Sequence, residues 1–268
     1  MDAMKNLAVL ETHKLNKLLD KQNTLIEDLD KIAEDFLGFY PYPFSNDDKA
    51  TDCLILFGSE RGFNGDFNEA LIEYLDRHLE SIDNPDYLLI PIGNKLFSRL
   101  RDNTHVSAFI EGPDVAEEVN SILNTLLTHI NDLQSKYPEL NITALYHDAE
   151  SDVVISRQLM PPFIYKSGKQ ATYPFPPLLN LSPKDYLSEL LDRYLFVILQ
   201  EIIYNSLMAE NHKRIQHMDG AVQKLDEKTG ELARQYHIHR QEEITEEIEV
   251  ILLNSPVEPE NTNPYDSQ

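Results

Sequence analysis

The C-terminal third of the sequence is the feature that most restricts the fold. Residues 184–253 contain no proline and only two glycines. From residue 208 onward, mainly apolar side chains recur every seven residues in two series, namely Met208, Ile215, Val222, Thr229 and Tyr236, and Met218, Leu225 and Leu232. A repeat of 3.5 residues is typical of a coiled coil. A helix of about 70 residues would be roughly 105 Å long, and it needs a second helix along it to bury its apolar face.

Residues 2 to 37 are the candidate for that second helix. Their apolar or small side chains also recur at heptad spacing, and Glu11 and Gln22 interrupt the repeat. One series consists of Met4, Leu18, Leu25 and Ile32, and the other of Ala8, Leu15, Leu29 and Phe36. Pro41 and Pro43 end the helix, because proline cannot continue it. We therefore expect two terminal helices that pair antiparallel.

The residues between these helices, about 51 to 160, alternate short apolar runs with amphipathic patterns. The apolar runs predict strands at 53–58, 87–93, 106–111, 141–147 and 152–160. The amphipathic patterns predict helices at 66–80, 94–100 and 114–135, the last with Asp114 as its N-cap. This order favours an α/β domain with a Rossmann-like, mainly parallel sheet and one antiparallel edge, inserted between the two long helices. The proline-rich residues 161–183 are expected to form a loop.

Composition excludes several classes of protein. A net charge of -23 opposes broad binding to nucleic acid or to an anionic membrane. A single cysteine, Cys53, excludes a disulfide framework, and its apolar surroundings in the sequence predict an inert core residue. The most apolar window, residues 194–207, is too short to cross a bilayer, and no signal-peptide pattern opens the chain. We expect a protein that is not itself inserted in a membrane.

The segment GSERGFNGDFNEAL, residues 58–71, follows a predicted strand and opens a helix. Such a turn can bind phosphate at the helix N-terminus. However, its spacing matches neither GxGxxG nor GxxxxGK[ST]. Gly58, Gly62 and Gly65 are therefore predicted to shape the turn itself, because glycine adopts positive φ freely. No nucleotide, other cofactor or metal ion is expected here.

Three segments of the sequence resemble the gamma subunit of F-type ATP synthases. Residues 58–71 are similar to that family's Ser-acidic-Arg-Gly-x-x-Gly-x-x-Asn segment, and their sequence resembles the alternate, N-type branch of these ATPases more than the housekeeping gamma subunit. DAMKNLAVLETHK, residues 2–14, resembles the family's N-terminal helix. Residues 218–251 resemble its C-terminal helix, which closes on Arg-Gln-x-x-Ile-Thr-x-Glu.

The resemblance implies a noncatalytic rotor subunit. Together with the sequence patterns it predicts an N-terminal coiled-coil helix (1–38), an α/β foot domain (51–182) and a long C-terminal coiled-coil helix (183–253). The polar composition of residues 254–268 predicts a disordered tail, which runs beyond the family's usual end. The implied partners are the alpha and beta subunits of the catalytic hexamer, the epsilon subunit and the ring of c subunits. The implied location is the cytoplasmic face of a bacterial inner membrane, as a peripheral subunit.

The resemblance also implies roles for individual residues. The positions that match subunit contacts of the family are Met4, Arg240, Gln241, Ile244, Thr245 and Glu247. The positions that match the turn of its foot domain are Gly58, Arg61, Gly62, Gly65 and Asn68.

Two other functions remain open from the sequence. One is a gamma-derived paralog that acts as an adaptor or regulator outside a standard ATPase. Its motivation is the acidity of the chain, an N-terminal helix shorter than the family's, and a tail that runs beyond the family's usual end. A small α/β enzyme is the other candidate, because a polar cluster follows a predicted strand, where such folds place catalytic or metal-binding groups. That cluster is His147, Asp148, Glu150 and Asp152, and a solvated turn is its alternative interpretation.

His237 and His239 are two residues apart and point to different faces of a helix, which disfavours a metal pair.

Overall fold

A computed structural model describes residues 2–42, 50–80, 86–137, 139–163 and 174–254. Its helices are α1 (Asp2–Phe39), α2 (Phe67–Glu80), α3 (Asn94–Leu100), α4 (Val119–Lys136) and α5 (Pro183–Asn254). Its strands are β1 (Thr51–Phe57), β2 (Tyr87–Ile92), β3 (Leu140–Asp148) and β4 (Val153–Met160). Pro43, residues 164–173 of the predicted loop and the tail after residue 254 lie outside the described residues.

The four strands form one sheet in the order β2-β1-β3-β4. β1 pairs in parallel with both β2 and β3, whereas β4 pairs antiparallel with β3. This confirms the predicted fold class, an α/β domain with a mainly parallel sheet between two long terminal helices. Side chains alternate between the two faces of β1, so that Leu54 and Leu56 pack with α2 and α3, whereas Ile55 and Phe57 join the core that includes α1, α4 and α5.

The strand predicted at residues 106–111 is wrong as a full strand. Only two isolated parallel bridges form beside β2, at Val106 and Ile110. At these bridges the N–H of Leu89 donates to the His105 carbonyl, and the N–H of Gly93 donates to the Ile110 carbonyl. Leu89 and Gly93 lie two residues to either side of Pro91. Since proline has no N–H, the donor between them is missing and the ladder is interrupted.

The N-cap predicted at Asp114 is also wrong. A 3₁₀ turn at Ala116–Glu118 precedes α4. Its N-cap residue is Val115, which makes no side-chain cap hydrogen bond. Instead Glu11 of α1 accepts a hydrogen bond from the backbone N–H of Ala116 (3.2 Å), while the Asp114 carboxylate pairs with Arg61. The 3₁₀ turn before α4 is thus capped from a distant helix, which local sequence spacing does not reveal.

The chain divides into two compact units, residues 1–218 and 219–268, and α5 runs through the division. In the first unit α1 lies antiparallel to α5. The ring of Phe36 packs on that of Tyr186 with centroids 4.9 Å apart, and Gln22 reaches Val197 further along α5. In the second unit, every side chain from Gln223 to Asn254 is exposed.

The buried side of α1 follows one heptad series without a gap. Ala8, Leu15, Gln22, Leu29 and Phe36, each seven residues after the last, are at most 9% exposed. The other predicted series is largely on the surface, since Met4, Leu25 and Ile32 are 40–45% exposed. Gln22 therefore belongs to the packed series and does not interrupt it. Its Nε2 donates hydrogen bonds to the Val197 carbonyl (2.8 Å) and to Gln200 Oε1 (3.3 Å).

The predicted apolar window on α5 is explained by burial on all sides. Between Tyr194 and Asn211 most residues are buried whichever way their side chains point, because α1 and the sheet pack on different faces of the helix. Among the described residues, no helix is long and apolar enough to span a membrane.

We expect Gln22→Ala to lower the free energy of unfolding by about 1 kcal/mol, because it removes a buried hydrogen bond between the two helices. Urea unfolding followed by circular dichroism measures this change. Gln223→Ala, on an exposed surface of α5, is the matched control and should change stability little. Equal stability of both variants would contradict the assigned role of Gln22.

Candidate functional site

The predicted glycine-rich turn connects β1 to α2 and lies against the start of α3. Gly58 donates its N–H to the Ile92 carbonyl (3.0 Å), which continues the pairing of β1 with β2 by one residue. A Cβ atom at Gly58 would lie 2.4 Å from Leu96 Cβ and 2.6 Å from Leu96 Cδ2. Only glycine fits at this position, because α3 approaches the backbone so closely.

Asn68 closes the turn from the first turn of α2. Its Oδ1 accepts a hydrogen bond from the Ser59 N–H (3.0 Å), and its Nδ2 donates to Ser59 Oγ (2.7 Å). Both residues are buried. The Ser and Asn of the motif therefore satisfy one another and hold the start of α2 to the end of β1.

Glu60 was not singled out by the sequence, although it lies inside the motif. Its carboxylate accepts hydrogen bonds from the N–H groups of Asn94 (3.0 Å) and Gly112 (2.8 Å), as well as from the Asn94 side chain. It thereby joins the loops that follow β1 and β2 to the segment after the Ile110 bridge. The sequence offered one signal for this role: Glu60 lies within a glycine-rich turn, where backbone N–H groups need acceptors.

The other predicted turn residues differ in how far the structure requires them. Gly65 has a φ of +62°, a conformation that favours glycine. Arg61 forms an ion pair with Asp114, but it is largely exposed. Gly62 has open space around it, since the nearest atom to a Cβ there, Lys95 Cε, is 3.9 Å away.

The contacts of Glu60 disfavour a phosphate site at this turn. The Glu60 carboxylate already takes the N–H groups of Asn94 and Gly112, and its negative charge would repel a phosphate. The cavity beside the turn, lined in part by Gly58, Pro113 and Glu210, has a volume of about 10 Å³, which suits one water molecule at most. The turn therefore serves to connect strands and helices.

A buried ion pair lies where α5 crosses this turn. Glu210 is 3% exposed and pairs with Arg214, one helical turn later. Burial raises the pKa of Glu210 to about 8; Arg214 opposes the rise, whereas Asp114 and Glu60 add to it. A carboxyl group that ionises near neutral pH thus lies in the contact between α5 and the foot domain.

The cluster at residues 147–152 is engaged in structural contacts. The His147 ring is buried, stacks on Phe67 with centroids 3.9 Å apart, and places Nε2 2.7 Å from the Phe67 carbonyl. Burial lowers the pKa of His147 and so disfavours the charged ring. Burial acts to raise the pKa of Asp148, but hydrogen bonds from Ser151 and Asn205 outweigh it and lower that pKa.

The remaining candidates for chemistry in this region are likewise occupied or exposed. Asp152 pairs with Lys213 of α5 (3.2 Å), and Glu150 is exposed. Within the described ranges, no group of three or more His, Cys, Asp or Glu side chains could hold a metal ion. These contacts favour a structural turn over an enzyme site.

The predicted subunit-contact residues of α5 lie on the exposed surface of the second unit. All residues from 240 to 247 are exposed, including Ile244 at 47%. Thr245 Oγ1 donates a hydrogen bond to the Gln241 carbonyl within the helix (2.8 Å). Met4 lies on the half-exposed side of α1 in the first unit. His239 is exposed and lies 3.2 Å from Glu242.

We expect Gly58→Ala to destabilise the protein by about 1–3 kcal/mol, because its methyl group would overlap Leu96. Thermal or urea unfolding of the isolated chain measures the change. Gly62→Ala, four residues along the same turn but in open space, is the control and should be nearly neutral. A Gly58→Ala protein as stable as the control would show that the close approach of α3 is wrong.

We expect the stability of the protein to depend on pH through Glu210. Folding raises the pKa of this carboxyl from 4.5 to about 8, so the unfolded chain releases the proton at lower pH than the folded one. Stability from this group is therefore complete below about pH 4.5 and is lost as pH rises through about 8. Relative to Glu210→Gln, the unmodified protein should become steadily less stable between about pH 5 and pH 9, as urea unfolding at each pH measures. A constant difference would contradict the prediction.

Comparison with known proteins agrees with this geometry. A family model described as ATP synthase matches residues 1–253. An ATP synthase gamma chain of Clostridium perfringens is 24% identical over 261 residues, which cover 93% of this chain and 89% of that relative. The gamma chain of Clostridium kluyveri is 29% identical over 206 residues, 74% of this chain and 70% of that relative.

Solved structures show the same fold. A chain of the Euglena gracilis mitochondrial ATP synthase (OSCP/F1/c-ring) superposes with a TM-score of 0.55 at 15% identity, covering 99% of this chain and 100% of that chain. A chain of the Tetrahymena thermophila mitochondrial ATP synthase (central stalk/c-ring) gives a TM-score of 0.58 at 16% identity, with 82% and 98% covered. Because the family model spans almost the whole sequence and the relatives are gamma chains, this protein belongs to the gamma-chain family of F-type ATP synthases.

Proposed function

We propose that this chain is the rotor of an F-type ATPase and acts through the exposed residues of α5. One observation carries the proposal: α5 is a single helix of 72 residues, whose residues 194–211 are core of the first unit and whose residues 223–254 are all exposed. A single-domain enzyme has no use for such a helix, whereas a rotor needs one. As a gamma chain, the protein is a noncatalytic component of the synthase.

The contacts of α5 in the first unit suit the transmission of torque. Ser206 Oγ donates to the Phe57 carbonyl at the end of β1 (3.1 Å), and Asn205 accepts from the Ala149 N–H after β3 (2.8 Å). Gln22 binds α5 from the side of α1. Bonds to three different elements oppose rotation of the helix about its own axis, so a turn of the foot domain would also turn α5.

The proposed partners are the alpha and beta subunits around the exposed part of α5, with epsilon and the ring of c subunits at the foot domain. The matched structures are of assemblies that contain F1, a central stalk and a c-ring, which supports these partners. We place the complex at the cytoplasmic face of a bacterial inner membrane. We propose that its coupling ion is a proton or sodium.

Within α5 we assign the contact with the catalytic subunits to Arg240, Gln241, Ile244, Thr245 and Glu247, and we add Met4 of α1. Gln241 and Thr245 are four residues apart and share one side of the helix. Their exposed polar groups can make directed hydrogen bonds to a surrounding subunit, for which the Gln241 amide has both donors and an acceptor. Ile244 adds apolar contact beside them.

The adaptor alternative is not favoured, because the family match extends over residues 1–253 and includes the whole of the exposed helix up to Leu253. The enzyme alternative is disfavoured by the contacts of His147 and Asp148 described above.

We expect Gln241→Ala combined with Thr245→Ala to lower the ATPase activity of the complex assembled from alpha, beta and this chain. Removal of one hydrogen bond between this chain and a partner should reduce activity roughly two- to tenfold, if that bond forms only in the transition state of the rate-limiting step. The control is Gln223→Ala with Thr229→Ala, because Thr229 makes the same bond to the carbonyl four residues earlier (2.8 Å). Activity equal to that of the control complex, with equal helix content, would contradict the assigned contact.

A further inference from the structure

The end of α5 carries an excess of negative charge. Arg240 is the last basic residue of the sequence, and residues 241–268 contain eight Asp or Glu and no Lys, Arg or His. Five of these acids, Glu242, Glu243, Glu246, Glu247 and Glu249, lie on α5 and are exposed. This stretch contributes no basic side chain of its own, and a basic neighbour of these glutamates is His239, whose Nδ1 lies 3.2 Å from Glu242 Oε2.

These glutamates are unfavourable for the helix that carries them. The C-terminal end of a helix has a negative partial charge, which basic side chains normally offset. α5 has no basic residue in its last turn. Glu243 and Glu247, and likewise Glu242 and Glu246, are four residues apart, where like charges repel. Local helix stability therefore does not explain their presence.

An apolar row accompanies the charges. Ile244, Ile248 and Ile251 follow the spacing of one helix face, and they are 47%, 51% and 64% exposed. By the same spacing Glu243 and Glu247 border this row on one side, while Gln241 and Thr245 border it on the other. Exposed apolar rows rimmed by polar groups mark surfaces that bind another protein.

We propose that residues 241–254 of α5 dock against a protein surface with an apolar floor and a rim of lysine and arginine side chains. The inference rests on the proposed function: this surface is the inner wall of the alpha and beta subunits that surround the helix. Burial of the isoleucines also removes Glu243 and Glu247 from water, and a carboxylate that loses water needs a cation or hydrogen-bond donors in exchange. Basic side chains on the partner supply both.

The same charges exclude other occupants. Nucleic acid and anionic membranes are negative and would be repelled. A second copy of this segment would bring together two sets of five glutamates without a cation. A basic protein surface is the class that satisfies the apolar row and the carboxylates together.

The test is the rate at which the complex assembles from purified alpha, beta and this chain, measured by the appearance of ATPase activity that depends on this chain. Glu243→Gln with Glu246→Gln and Glu247→Gln removes three charges and preserves size and helix propensity. At about 0.05 M salt we expect its assembly to be about tenfold slower than that of the unmodified chain, because charge complementarity accelerates association. At about 1 M salt, where the screening length is about 3 Å, the two rates should converge.

The control removes three exposed carboxylates from α2 of the first unit, by Glu73→Gln, Asp76→Asn and Glu80→Gln. It changes the net charge equally and should assemble like the unmodified chain. Glu243→Lys with Glu246→Lys and Glu247→Lys reverses the local charge and tests the sign of the partner's charge directly. It should assemble more slowly than the glutamine variant.

Faster assembly of the lysine variant than of the unmodified chain, or a glutamine variant that behaves like the α2 control, would overturn the basic rim and leave the rotor function standing. If the unmodified chain forms no active complex with alpha and beta at any salt concentration, the proposed function itself fails.

Discussion

The burial of α5 between α1 and the sheet is the constraint on which the rest of the first unit depends. A helix that is core on several faces cannot rely on apolar packing alone to fix its rotation and its position along its axis, because apolar contacts are not directional. Its polar side chains supply the direction. Ser206 bonds to the end of β1, Asn205 to the turn after β3, and Glu201 to Arg157 of β4 (3.1 Å). Since a buried polar group without a partner is costly, a slip of the helix by one residue would break all three contacts at once.

The glycine-rich turn lies where open α/β sheets bind ligands, but its polar groups bond to other parts of the chain. In open sheets of this kind, ligands bind at the carboxyl ends of the strands, where the strand order reverses. In this protein that position is at the ends of β1 and β3, and the chain's own groups fill it. Phe67 stacks on His147, and α5 approaches from the other face with Asn205 and Ser206. The motif residues Gly58, Ser59 and Asn68 therefore join elements rigidly, as a part under mechanical load requires.

Sequence reasoning recovered what periodicity and short-range propensity determine. The two long helices, the four paired strands and the antiparallel edge follow from apolar runs and heptads, because these signals lie within one element. The misses share a different cause, which is contact between residues far apart in the chain. Glu11 caps the turn before α4 across 105 positions, and Glu60 joins loops 34 and 52 residues away. Pro91 is the exception, because the sequence itself shows that proline lacks an N–H. The interruption of the ladder can be predicted only when residues 106–110 are known to lie beside β2.

The two parts of α5 differ in where their polar side chains find partners. In residues 194–211, most polar side chains bond within the chain, among them Asn205 and Ser206, and these bonds fix the position of the helix in the first unit. In residues 240–254, isoleucines and glutamates are both exposed, so the partner must supply what the chain does not. In the proposed contact with the catalytic subunits, apolar side chains give area without direction, and Gln241 and Thr245 would add hydrogen bonds at one fixed position along the helix. In the same proposal, the carboxylates would act over a longer range and favour a partner surface of positive charge. A rotor must be held firmly at one end and contacted reversibly at the other, and this division of polar groups along one helix meets both requirements.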